Sequence, residues 1–289
     1  MFKTSDFIRQ SVTTQGGFKP DGGWVILSPL EATIKNKIEA VGTPLKDWNI
    51  NIYRGILTGY NDAFIIDQKT RDALMEASPK NDEIIRPILR GRDIKKYSYD
   101  FADLWLINTH NGIKEKGIKP VDINLYPAVK KYLDHFYPEL ENRVDKGVTP
   151  YNLRNCAYLE DFSKQKIVWG EISDKANFAL DIHDNYYVNN KCYLLTGNRL
   201  EYLICFLNSK VSEYLFSKIG TTTGVGTAQW SKFTIEQLCV PLINEDQEKE
   251  FIFLVSDLSA KKLTEAAINQ RIYTICGLTS EEVAFIESL

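Results

Sequence analysis

Tyr53-Arg54-Gly55-Ile56-Leu57-Thr58-Gly59-Tyr60-Asn61-Asp62-Ala63-Phe64-Ile65-Ile66-Asp67 is the stretch on which the reading of this chain turns. With Ile50-Asn51-Ile52 before it, two β-prone runs flank a centre rich in Gly, Asn and Asp, the composition of strand, tight turn and strand. The expectation is a β-hairpin with a short exposed loop. Thr58, Tyr60 and Asn61 stand on that loop, where glycine lets a backbone approach a ligand closely. The same residues have a second reading, in which Gly59 and Asn61 only supply the positive-φ geometry of a turn.

Upstream, residues 1–20 are a polar lead-in, and Trp24-Val25-Ile26-Leu27 reads as a strand. Ser28, Pro29 and Glu31 form a helix-start signal, and Leu30, Ile34 and Ile38 keep helical spacing until Gly42. Downstream, helices are predicted over 70–76, 126–143 and 200–219, and strands over 105–107, 166–169, 176–181, 186–188 and 191–195. Residues 84–97 are basic and β-prone, and 220–227 form a polar, Gly/Thr-rich loop. From Asp246 to about Ile272 the chain reads as one helix, and a short acidic helix follows Ser280. Helices and strands alternate without a β-α-β rhythm, so the expected fold class is α+β, with a mixed domain over 21–243 and a helical tail over 244–289. Trp24, Trp48, Trp105 and Trp169 lie in apolar contexts and are expected in the core.

The net charge of −3 is unevenly spread. Residues 244–289 hold nine acidic and four basic side chains, which leaves 31 basic and 29 acidic in residues 1–243. A surface for a polyanion is therefore permitted on the body, while the tail is expected to pack on the body or on a partner. No apolar run is long enough to span a bilayer and no signal-like segment opens the chain, which points to a cytoplasmic protein. Five widely spaced cysteines without a C-x-x-C pair, and three histidines without H-E-x-x-H, suggest neither a disulfide framework nor a metal site. The chain shows no AdoMet glycine loop, N-P-P-Y motif, P-loop or nucleophile elbow. Gly224-Val225-Gly226 follows a helix and a threonine run, the wrong context for a cofactor loop. Asp93-Ile94-Lys95 lacks the upstream strand-borne acid of a metal-dependent nuclease. No catalytic residue is assigned.

The 53–67 segment resembles the G-I-x-T-G-x-N-x-A-F signature of TaqI-like specificity domains, the target recognition domains of type IIG restriction–modification enzymes. Three further blocks follow in that family's order. Ile85-Arg86-Pro87-Ile88-Leu89-Arg90-Gly91-Arg92-Asp93-Ile94 is similar to its I-x-P-x-L-x-G-x-D-I block. Residues 191–196 and 202–210 look like its late strand and helix, and Phe233 to Leu242 resembles the exit shared with type I specificity subunits. The resemblance implies a module that reads double-stranded DNA. It also implies methyltransferase and endonuclease domains on the same polypeptide or a partner subunit, which alone would carry AdoMet and Mg²⁺.

On that reading the base-reading candidates are Thr58, Tyr60, Asn61, Thr221, Thr222, Thr223, Gln229 and Trp230. The phosphate candidates are Arg54, Arg86, Arg90, Arg92, Lys95, Lys96, Ser231 and Lys232. The basic run has an alternative role as a charged guard on a strand edge, and the 220–232 loop as a plain connector. Two other functions stay open at this point: a complete DNA-modifying or DNA-cleaving enzyme, and a protein-interaction module acting through the acidic tail.

Overall fold

The helix Pro29–Val41 starts as its sequence dictates. In the computed structural model Ser28 Oγ accepts from the Glu31 amide at 3.3 Å and Glu31 Oε2 accepts from the Ser28 amide at 2.7 Å, a closed capping box. The structure describes residues 27–219, 221–222, 228–259 and 264–289, so the expected strand at Trp24 to Leu27 falls largely outside the described residues. Ile34 and Ile38 form the buried stripe of the helix, which ends at Gly42. The chain is α+β and divides into two compact units, the first comprising residues 27–49, 173–176 and 201–289 and the second residues 50–172 and 177–200.

In the first unit, Gly42–Pro44 pairs antiparallel with Cys239–Pro241. The predicted 200–219 helix is two helices, Leu200–Leu207 and Lys210–Ile219. The break is Ser209, buried, whose hydroxyl donates to the Phe206 carbonyl at 2.7 Å and accepts from the Ser212 amide at 3.2 Å. A serine that bonds the local backbone ends one helix and caps the next. The tail likewise forms Glu245–Ser259, Glu265–Ile275 and Ser280–Glu287 in place of one long helix and one short one. Phe251, Ile268, Ile272 and Ile286 are buried, and Glu282 pairs with Lys37 at 2.7 Å. Contacts thus group the tail with residues 27–49 and 201–243, whereas composition suggested a division at 243/244.

The second unit holds two four-stranded sheets. One runs Ile50–Arg54, Cys192–Gly197, Lys166–Gly170, Phe178–Asp181, antiparallel throughout. The other runs Tyr187–Val188, Ile85–Leu89, Leu104–Ile107, Ile65–Asp67, with its first pair parallel. The expected hairpin at 50–67 is therefore corrected. Its two strands lie in different sheets, Ile50–Arg54 against residues 193–197 and Ile65–Asp67 against 104–106, with a helical turn Asn61–Phe64 between them. The Gly55 amide donates to the Cys192 carbonyl at 2.9 Å and the Ile56 amide to the Val188 carbonyl at 2.8 Å, so the hydrogen bonds a hairpin would need are taken by a distant segment.

Residues 187–197 make the mirror-image crossing. Tyr187–Val188 joins one sheet and Cys192–Gly197 the other, and Ile56 bridges Asn189 where the two crossings run side by side. A Cβ at Gly55 would overlap the Asn189 carbonyl, so the backbones approach only because that residue is glycine. The predicted 126–143 helix is also two, Pro127–Asp134 and Tyr137–Asn142, with Pro138 in the first turn of the second. Lys166 and Asp181 form an ion pair at 2.6 Å, both almost wholly buried; Lys166 Nζ also donates to the Phe162 carbonyl, and Asp181 also accepts from the Tyr186 amide. Of the expected core tryptophans, Trp169 is buried, Trp48 and Trp105 are half-buried, and Trp24 lies outside the described residues. Among the described residues no helix is long and apolar enough to cross a membrane.

Glu31 does more than cap its helix. Its Oε1 accepts from Lys218 Nζ at 2.5 Å, and chiefly that bond holds the carboxyl down at about 2, from an ordinary value of 4.5. A carboxyl lowered on folding contributes stability that is complete above pH 4.5 and is lost as pH falls through about 2. Glu31→Gln should therefore be less stable than the parent at pH 6, with the gap closing between pH 4.5 and 2 in urea titrations. A gap that does not change with pH would show that the ion pair contributes nothing.

Candidate nucleic-acid interface

The 55–64 crossing is held by a buried arginine. Arg143 ends the Tyr137–Asn142 helix and is 7% exposed. Its Nη1 donates to the carbonyls of Thr58 and Asp145, and its Nη2 to those of Pro150 (3.0 Å) and Asn152 (2.5 Å). The guanidinium lies 4.5 Å from the centre of the buried Phe64 ring. Burial pushes its pKa down to about 10, so the group stays charged at neutral pH. Gly59 sits against the same assembly with φ +71°, and a Cβ there would come within 2.9 Å of the Asp145 carbonyl. Thr58 is 2% exposed and donates to Asn61 Oδ1 at 2.6 Å, and Tyr60 is half-buried against Phe136. The signature loop is thus mainly framework. Thr58 is withdrawn as a base reader because it is buried, while Asn61 is exposed.

The basic run divides in the same way. Arg86 turns its guanidinium onto the carbonyls of Asp82, Glu83 and Ile85. Arg90 forms a two-point pair with Asp93, at 2.9 and 2.8 Å. These two are committed to internal partners and are poorly placed to hold phosphate. Arg92 is exposed on the Gly91–Asp93 turn; exposed Lys95 and half-buried Lys96 stand on a small hairpin made by Ile94–Lys95 and Ser98–Tyr99, with Lys95 Nζ donating to the Arg92 carbonyl at 2.7 Å. Arg54 donates to the Asn190 carbonyl and pairs with Glu171 at 2.5 Å.

In the first unit, Thr221–Thr222 pairs with Ala228–Gln229, and Thr223 lies outside the described residues. Trp230 is 3% exposed, stacked on Phe216 at 3.8 Å, with its ring N–H bonded to the Ser173 carbonyl. It packs the core and is corrected from a reader to a structural residue. Ser231 caps the Lys232–Glu236 helix, Lys232 is exposed with Glu236 3.5 Å away, and Gln229 is half-buried.

Two adjoining clefts on the second unit were not anticipated. One, of about 430 Å³, is lined by Arg54, His110, Arg154, Tyr158, Asn190 and Lys191 among others. The other, of about 660 Å³, is lined by residues including Asn111, Lys114, Glu115, Lys119 and Val148. Asn155 and Cys156 line both. Burial, reinforced by Arg86, holds His110 below its ordinary value, and its Nδ1 accepts from the Gly112 amide, leaving Nε2–H as a donor. Burial pushes the Cys156 thiol up to about 11, so it is a neutral wall. Cations thus outnumber acids along the two clefts, although Arg54 and Arg154 carry Glu171 and Asp145 as partners.

The TaqI-like C-terminal specificity domain matches residues 86–240, more than half of the chain. The chain belongs to this family. The match takes in both clefts except the 54–57 segment, and the 53–67 stretch lies upstream of it. Among solved structures, the type IIG restriction endonuclease BpuSI is similar at 15% identity and a TM-score of 0.53, over 86% of this chain and 32% of that one. The type IIL restriction–modification enzyme MmeI, solved in complex with DNA, is similar at 10% identity and a TM-score of 0.60, over 85% of this chain and 36% of that one. At such identities the likeness is one of fold, and this specificity domain spans about a third of each enzyme's length. No curated protein matches it.

Sequence reasoning missed Arg143, Arg154, Asn155 and Lys191 in this specificity domain. The polar run Asn152-Leu153-Arg154-Asn155 was the available signal, while Arg143 looked like an ordinary helix-end cation. Replacing Arg143 with Met would take a donor from four carbonyls, of which that of Asn152 keeps the Gly147 N–H, an expected loss of about 3 kcal/mol or more. Arg143→Lys should recover only part of it, because an ammonium cannot reach both sides of the fork. Urea denaturation measures this, and a change below about 1 kcal/mol in the Met variant would mean the clamp is dispensable.

Proposed function

We propose that this chain is the DNA-reading part of a restriction–modification enzyme. It would bind double-stranded DNA by sequence and set associated methyltransferase or endonuclease domains on a short target. The observation that carries this is the cation-rich pair of clefts on the second unit of a chain that belongs to a specificity-domain family. Lysines and arginines without buried partners suit phosphate, while amide side chains between them suit base edges. In this reading the chain itself is non-catalytic, and AdoMet and Mg²⁺ belong to the associated domains.

The exposed cations Arg92, on the Gly91–Asp93 turn, and Lys95, on the hairpin after it, are assigned to phosphate in this scheme. Binding of the 289-residue chain to mixed-sequence duplex should weaken linearly in a plot of log K against log salt. Arg92→Ala and Lys95→Ala should each reduce that slope by about 1, across all sequences alike. Fluorescence anisotropy from low to physiological salt gives the slopes. Absence of any complex, or Mg²⁺-dependent cleavage or methyl transfer from AdoMet by this chain alone, would refute the proposal.

A further inference from the structure

Asn155 is an exposed side chain with its amide held in one orientation. The Val148 backbone N–H donates to Asn111 Oδ1 at 2.8 Å, which leaves the Asn111 NH₂ group to face the other way. That group donates to Asn155 Oδ1. The chain of bonds starts at a main-chain donor, so its polarity is set, and the Asn155 Nδ2 end is directed away from Asn111. Room for this relay depends on Gly147, where a Cβ would overlap Asn111 Oδ1 and lie within 2.6 Å of the Leu153 carbonyl. An ordinary surface asparagine rotates freely and loses that freedom on binding; here much of the ordering is built in.

The position of this amide matters as much as its orientation. Asn155 lines both clefts, at the place where they adjoin, and its neighbour Arg154 is exposed. Lys191 lines the one cleft, and Lys114 and Lys119 line the other against a single acid, Glu115. A polyanion drawn to those cations would bring its base edges to the amide between them.

We infer that Asn155 is a base-reading side chain that recognises adenine in the major groove. This rests on the DNA-binding reading proposed above. An asparagine amide offers an N–H donor to adenine N7 and a carbonyl acceptor to the N6 amino group, a two-point match that no other base gives on that edge. The Asn155 carbonyl keeps a second lone pair after accepting from Asn111, so both halves of the match are available.

Selection of the 289-residue chain against a randomised duplex library, followed by affinities for single-base variants of the winning duplex, tests this. Asn155→Ala should lose a preference of about tenfold or more for adenine at one position and keep the others. Asn155→Asp, an acceptor only, should shift that position toward cytosine. An Ala variant that selects the same sequence with the same preferences overturns the inference while leaving DNA reading intact. A parent chain that binds every duplex alike overturns it too, and a parent that binds none removes the reading on which it rests.

Discussion

A guanidinium taken out of water must be given hydrogen-bond partners by the protein, and both terminal nitrogens of Arg143 receive them from main-chain carbonyls, while its buried Nε has none among the described residues. Four carbonyls from three stretches of chain converge on one planar fork, with the Phe64 ring against it. Among the described residues no carboxylate hydrogen-bonds to it, so a fork of donors on carbonyls, not a paired carboxylate, fixes the loops. The crossing from one sheet to the other at 55–64 passes over this point, and the 144–153 turn is wrapped around it. Leu153 and Arg154, at the end of that turn, lead directly into the wall of the adjoining clefts. The wall of the clefts is therefore held in place by a residue that is itself buried.

What could be read from the sequence was whatever depends on neighbours within a few residues. The Ser28/Glu31 capping box, the apolar stripe at Ile34 and Ile38 and the stop at Gly42 all follow from local rules, and all are present. The hairpin failed because strand pairing is a competition among all available edges, and the winner for Ile50–Arg54 lies about 140 residues away. The long helices failed at Ser209 and Pro138, where one residue's bonding capacity outweighs an otherwise continuous apolar pattern. The site was the least legible part. Arg86 and Arg90 look like free cations in one dimension, yet nearby carbonyls and Asp93 consume them. Asn155 looks like any surface polar residue, and its orientation is set by an asparagine 44 positions away.

The distribution of charge gains a structural meaning. Part of the tail's acid is internally answered: Glu282 by Lys37, Glu250 by Arg271. The acidic composition of residues 244–289 is thus partly the chemistry of helix packing within the first unit. The second unit keeps lysines at the lips of its clefts, and the net charge of the whole chain averages two surfaces of different character. A single net value of −3 argued poorly against a polyanion ligand because it described neither surface.

The mirror crossings of the second unit also constrain how the chain is made. Residues 187–197 are the last strands of that unit, and each sheet needs one of them. The Ile50–Arg54 strand can find its partner only after the ribosome has produced Tyr193 to Gly197. At about 5–20 residues per second, that interval is on the order of ten seconds. Through it the apolar edges of both sheets wait unsealed. Synthesis of this module therefore has a vulnerable window whose length is written into its topology, and a ribosomal pause between residues 54 and 193 would lengthen it.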